Sequence, residues 1–247
     1  MNSRLTRRDV EFEASVGGYF TEPSALMVAL GGRDGRLGSS ELELPESIDL
    51  QMSLGEAVRR RRSTRSFSGD PVPLRYLATL LHAACGVTAG PDETTGGIAL
   101  RSTPSGGALY PVGVHLAALN VSDVDRATYV YDPRDDRLWQ TGDATAVDGV
   151  LAAMASPDEV AMVGNAGVLL LLVARPWRAM RKYGDRGMRH VFLEAGTIAQ
   201  QVHLAGAALG LGTLDCAGLY DDEVHAALDV DGVYEALVHT MIAGVPA

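Results

Sequence analysis

The sequence predicts an α+β fold, and three observations carry that prediction. Apolar residues switch several times between helical and alternating spacing. The resulting segments do not follow strict βαβ alternation, which argues against a doubly wound or barrel fold. The run Ala166–Ala174 (AGVLLLLVA) has the length and boundaries of a buried strand and is too short to cross a bilayer. With 247 residues and 47% hydrophobic content, the chain can bury one large core. Residues 51–247 read as that domain. Residues 1–50, mixed and Gly-rich with only Pro23–Leu30 helical in pattern, read as an arm, lid or docking segment.

From there the elements follow in order. Ser53 with Glu56 forms a capping box that starts a helix through Arg62. Pro73 suits a first helical position, Leu74, Leu77, Leu80, Leu81 and Ala84 recur at helical spacing, and Gly86 ends the run. Thr88–Gly97 has turn composition and reads as an exposed, mobile loop. Ser105–Tyr110 can make a short helical turn before Val112, Val114, Leu116 and Ala118 alternate as a strand. Thr128–Tyr131 and Arg137–Gln140 flank a DPRDD turn as a hairpin, and a helix is expected near Ala144–Ala155. After the buried strand comes a charged segment, then a helix from about Asp185 to Leu209 with apolar residues on nearly every face. Gly196 and Gly206 each disfavour that helix by roughly 1 kcal/mol, a cost that close approach of another backbone would offset. This is expected to be a central buried helix, with an intersubunit position as one option. A short extended piece at Thr213–Cys216, an acidic helix start at Asp221 and a strand at Ala236–Ala243 close the chain.

The net charge of −10 argues against nucleic acid and anionic membranes as partners. Cys85 and Cys216 lack metal-site spacing, the six histidines show no metal motif, and two cysteines are too few for a disulfide framework, so a reducing cytoplasm is expected. Arg7 and Arg8 are followed by Asp9, Glu11 and Glu13, where an export signal needs an apolar stretch.

Lys182 is the chain's one lysine, against twenty arginines. Arginine keeps its proton at working pH, whereas a lysine can be tuned to act as acid or base, and the neighbouring Tyr183 is a second proton-transfer group. RRSTRSF sets guanidinium groups at Arg61, Arg62 and Arg65 around the Ser63 hydroxyl, a donor set suited to a phosphate monoester. In PSGGALYP, Pro104, Ser105, Gly106 and Gly107 let backbone approach a flat ligand. Cys216, Ala217 and Gly218 form a small-residue bend where backbone N–H groups could meet a planar ring. His190 and His203 read as hydrogen-bonded core residues of the long helix.

Taken in this order, RRSTRSF, PSGGALYP and RKYGDRGMRHVFLEAGTIAQ resemble the nitroreductase-like flavoproteins, in particular the SagB/McbC-type azoline dehydrogenases. The resemblance spans roughly Leu54–Gly244 and implies an FMN-binding fold with a mixed central sheet flanked by helices. It also implies a homodimer with the flavin at the interface and a buried central helix. By matching position, Arg61, Arg62, Ser63 and Arg65 would hold the FMN phosphate and ribityl chain. Pro104, Ser105 and Gly106 would reach the flavin from the second subunit. Ala217 and Gly218 would lie beside its reactive face, Cys216 would belong to the same cofactor-binding bend, and Lys182 and Tyr183 would be catalytic. Many nitroreductases have further basic residues after the last strand; here Arg101 is the expected substitute. The implied activity is oxidation of peptide-borne thiazoline or oxazoline to thiazole or oxazole in ribosomal peptide biosynthesis, with dioxygen as reoxidant and cyclodehydratase proteins as partners. The alternatives are an oxidase acting on carrier-tethered intermediates, an NAD(P)H-dependent nitro or quinone reductase, and a flavin-free scaffold.

Overall fold

The computed structural model describes residues 40–92 and 97–247. The helix expected at Pro23–Leu30 and the middle of the Thr88–Gly97 loop lie outside them. The central sheet comprises β1 (Ser40–Glu43), β4 (Val112–Ala118), β5 (Thr128–Asp132), β6 (Arg137–Gly142), β7 (Val168–Ala174), β8 (Gly212–Cys216) and β9 (Ala236–Gly244). Its spatial order is β1-β6-β5-β4-β7-β9-β8. All these strand pairings are antiparallel, and a parallel bridge from Ser63 to Thr213 makes the sheet mixed at its β8 edge. A small ribbon of β2 (Val87–Ala89) and β3 (Leu100–Arg101) stands apart, so the expected loop is partly a strand.

β7 is the centre of the molecule because nothing in VLLLLVA can face water. It pairs with β4 on one side and β9 on the other, and its side chains alternate between two cores. Leu170 and Leu172 join the core beneath α2 (Leu74–Cys85) and α6 (Gly187–Leu209). Leu169, Leu171 and Val173 join the core beneath α3 (Ala144–Ala152), α4 (Pro157–Gly164) and α7 (Asp221–Leu228). Helices therefore cover both faces. Residues 40–50, assigned from sequence to the N-terminal segment, are built into this domain. β1 pairs with β6, Leu44 is buried, and the Ile48 N–H donates to Thr79 Oγ1 at 2.9 Å.

Two expectations about the long helix need correcting. The charged segment before it is a helix of its own, α5 (Pro176–Tyr183), started by Pro176 and ended by Gly184 at φ +56°. It folds back closely: a β-carbon on Gly187 would stand 2.5 Å from the Met180 backbone nitrogen. α6 is also not buried on every face. Phe192 and Leu193 are 56% and 67% exposed, and the space beside Gly196 is open. Gly206 does meet a close neighbour, the Thr213 side chain of β8.

Candidate functional site

α6 carries a polar cluster at each end. At its N-terminal end, three successive residues of the Ser105–Pro111 loop dock on four functional side chains. A β-carbon on Gly107 would stand 2.6 Å from the Tyr183 hydroxyl and 2.8 Å from Lys182 Nζ. One on Gly106 would stand 2.9 Å from His190 Nδ1. The Ser105 hydroxyl lies close enough to Glu194, one helical turn beyond His190, to pull on its carboxyl. The Tyr183 and His190 rings are 4.6 Å apart, and Lys182 Nζ lies 5.5 Å from the Tyr183 ring centroid. Sequence reading had placed His190 in the core and passed over Glu194. Their i, i+4 spacing, with Tyr183 seven residues before His190, is the signal that could have found them.

Glu194 is 4% exposed. Its Oε1 accepts the Val112 N–H at 3.1 Å, and Oε2 has no hydrogen-bond partner among the described residues. Burial pushes its carboxyl up to about 7, against the lowering pull of the Ser105 hydroxyl, the Val112 N–H, Arg101 and Arg178. Burial together with Arg175, Arg101 and Arg134 brings Arg178 down to about 10. Arg101, expected beside a phosphate, belongs to this cluster within the chain, with its guanidinium 4.4 Å from the Tyr110 ring centroid.

At the other end of α6, two clefts flank β8. One of about 250 Å³ is lined by Arg60, Arg61, Arg62, Thr64, His203 and Gly212, among others. Ser63 and Thr64 pair with Thr213, which fixes RRSTR against β8. Arg62 Nη1 donates to the carbonyls of Arg59 and Arg61, so this guanidinium also closes the end of α1 (Leu54–Arg60). The second cleft, about 370 Å³, is lined by Arg65, Asp158, Glu159, Met162, Leu214, Asp215, Cys216 and Ala217. Gly218 abuts the Glu159 carboxylate and accepts the Ala155 N–H at 2.7 Å. His203 is the expected buried, bonded histidine: Nδ1 meets Thr213 Oγ1 at 2.7 Å and Nε2 meets Asp215 Oδ2 at 2.9 Å. Asp215 also meets His239 Nε2 at 2.8 Å. Burial raises its pKa, but the two histidines outweigh that and leave it lowered.

His190 and His203 are thirteen helical residues apart, about 20 Å along α6. The predicted site residues therefore form two groups. Lys182 and Tyr183 join Arg101, Pro104, Ser105 and Gly106, while Arg61, Arg62, Ser63 and Arg65 join Cys216, Ala217 and Gly218.

A model described as "Nitroreductase family" matches residues 58–245. The chain belongs to the nitroreductase family. A Methanocaldococcus jannaschii protein named as a nitroreductase is 32% identical over 190 residues, covering 77% of this chain and 90% of that one. A nitroreductase structure from Anabaena variabilis matches with TM-score 0.68 and 22% identity, covering 84% of this chain and only 42% of that longer one. The Escherichia coli microcin synthetase McbBCD complex with truncated pro-MccB17 bound contains a chain that matches with TM-score 0.67 and 20% identity, covering 100% of both chains. A Desulfovibrio desulfuricans nitroreductase in complex with FMN matches with TM-score 0.53 and 18% identity, covering 80% of this chain and 88% of that one.

FMN is the cofactor of this nitroreductase-family oxidoreductase, and the residues around β8 fit it. Arg61, Arg62 and Thr64 offer donors to a phosphate. Across β8, the apolar Met162, Leu214 and Ala217 suit a flat ring, and Arg65 can meet its electron-rich edge.

Proposed function

We propose that the protein is an FMN-dependent dehydrogenase that oxidises a peptide-borne thiazoline or oxazoline to the aromatic azole. The observation that carries this reading is the convergence of Lys182 and Tyr183 on Gly107. In an azoline, the ring carbon next to the peptide carbonyl bears an acidic hydrogen. Its ring neighbour loses a hydrogen with the bonding electrons, and the second ring double bond forms between them. Bound FMN supplies the two-electron acceptor, with dioxygen as reoxidant. The chain's own residues supply the proton chemistry: Lys182 or Tyr183 takes the acidic hydrogen, and an ammonium at Lys182 offsets negative charge that develops on the carbonyl.

The two groups of site residues, separated along α6, make this reading a dimeric one. The Lys182–Tyr183 end of one protomer would complete the Arg61–Gly218 end of its partner, with Phe192 and Leu193 supplying exposed apolar surface for the contact. A synthetase complex holding a pro-peptide is the kind of assembly such an enzyme would join, which supports a modified peptide substrate and cyclodehydratase partners.

The test is to incubate the FMN-loaded enzyme aerobically with azoline-containing peptides and follow loss of two hydrogens by mass spectrometry. No loss with either ring type would sink the reading. A second reading, an NAD(P)H-dependent nitro or quinone reductase, is favoured by the archaeal relative's name. Rapid anaerobic bleaching of the flavin by NADH or NADPH would support it.

A further inference from the structure

The Ser105–Pro111 loop is held in a conformation it would not adopt alone. Gly107 has φ +66°, and Ala108 and Tyr110, which carry β-carbons, have φ +52° and +45°. A non-glycine residue in this region costs on the order of 1 kcal/mol, so two such residues need outside support. Part of it is visible. The Tyr110 N–H donates to Ser105 Oγ at 2.9 Å, the Arg101 N–H donates to the Tyr110 hydroxyl at 3.1 Å, and Arg178 Nη1 donates to the Tyr110 carbonyl at 3.3 Å.

Glu194 meets both ends of the loop: the Ser105 hydroxyl at the start lies close enough to pull on its carboxyl, and its Oε1 accepts the Val112 N–H just past the end. We propose that Glu194 is a positioning residue that clamps these two ends together and thereby holds Gly107 against Lys182 and Tyr183. Its burial would be unfavourable without such a duty, because a buried carboxyl with an unpartnered oxygen carries a desolvation cost. The charged and titratable groups facing it are Arg101 from β3, Arg178 from α5, Cys85 from α2 and His190 on its own helix. The Cys85 thiol is pushed up to about 12 by burial and stays neutral. With its carboxyl raised to about 7, Glu194 is part protonated at neutrality; in the clamp, ionisation without a new donor for Oε2 loosens the loop.

The consequence for catalysis rests on the proposed role of Lys182 and Tyr183, but the clamp itself can be tested without substrate. The full-length FMN-loaded protein is compared with Glu194→Ala and Glu194→Gln by amide hydrogen exchange at Tyr110 and Val112, with the β7 amides as a folding control. In Glu194→Ala the two loop amides are expected to exchange at least about tenfold faster while β7 keeps its protection. Glu194→Gln keeps an acceptor oxygen and should restore protection. It should also abolish a loss of protection, corrected for intrinsic exchange, that the unsubstituted protein shows as pH rises through about 7. Azoline turnover should fall in the Ala variant and recover in the Gln variant. Unchanged protection in Glu194→Ala, or equal loss in both variants, overturns the clamp. If the unsubstituted enzyme oxidises no azoline but the exchange pattern appears, only the dehydrogenase reading fails.

Discussion

The hydroxyl of Tyr183 occupies space that a β-carbon on Gly107 would need, 2.6 Å from where that carbon would stand. Gly107 also has φ +66°, so Gly107→Ala introduces both backbone strain and a collision with a proposed catalytic group. Azoline turnover should fall at least about a hundredfold, the scale expected when a general acid or base is misplaced. FMN content should fall much less than turnover, because the proposed phosphate donors Arg61, Arg62 and Thr64 are untouched. Turnover assays beside the visible absorption spectrum check both; unchanged turnover would remove Gly107 as the template for the pair.

Lys182→Ala and Tyr183→Phe remove the two proton-transfer groups and leave the loop and α6 intact. Each should retain FMN and lose roughly 10² to 10⁴ in kcat, the usual contribution of a general acid or base. Lys182 is exposed, so its loss should leave thermal stability nearly unchanged. Measured kcat at wild-type level in both variants would end the assignment.

Much of this arrangement was legible in the sequence, and the exceptions have physical reasons. The buried strand, the Ser53 cap and the three motifs could be read because each depends on local pattern. Ser53 Oγ does accept the Glu56 N–H, at 3.2 Å. α4 was overlooked although Ser156 before Pro157 is a helix-start signal; here the Asp158 N–H donates to Ser156 Oγ at 3.3 Å. The apolar pattern of α6 marked burial on nearly every face, but periodicity alone does not say what, if anything, covers a face. Leu193, counted among the buried apolar residues, is exposed in the single chain, as is its neighbour Phe192. Glu194 was harder to read for the opposite reason: its spacing from His190 marks only a shared helix face, and it acquires its meaning from Ser105 and Val112, both more than eighty residues away in sequence.

His115 gives a pH prediction of its own. It lies buried in β4 with Nδ1 unpartnered among the described residues, and burial brings its pKa down from 6.5 to about 4, with Glu235 opposing. A base whose pKa is depressed in the folded state binds its proton more readily when unfolded. Its stabilising contribution is therefore complete above about pH 6.5 and is lost as pH falls toward 4. The loss can reach about 3 kcal/mol. Denaturant titrations between pH 7 and 4 should show this acid limb, and His115→Gln should flatten it; an equally steep limb in the variant would place the cause elsewhere.

The strongest test of the two-chain site is complementation. An Arg61→Ala/Arg62→Ala protein lacks the proposed phosphate end, and Lys182→Ala lacks the proton-transfer end, so each homodimer should be nearly inactive. In a mixed dimer, one site carries both defects and the other carries neither, provided each site takes its two ends from different protomers. Random mixing makes half the dimers mixed, each with one intact site of two, so activity should recover to about a quarter of wild type. If both ends came from the same chain, every site in every dimer would remain defective and mixing would restore nothing. Adding Leu193→Arg to both chains should prevent recovery by placing charge on the exposed face of α6, and size-exclusion chromatography should then show monomers.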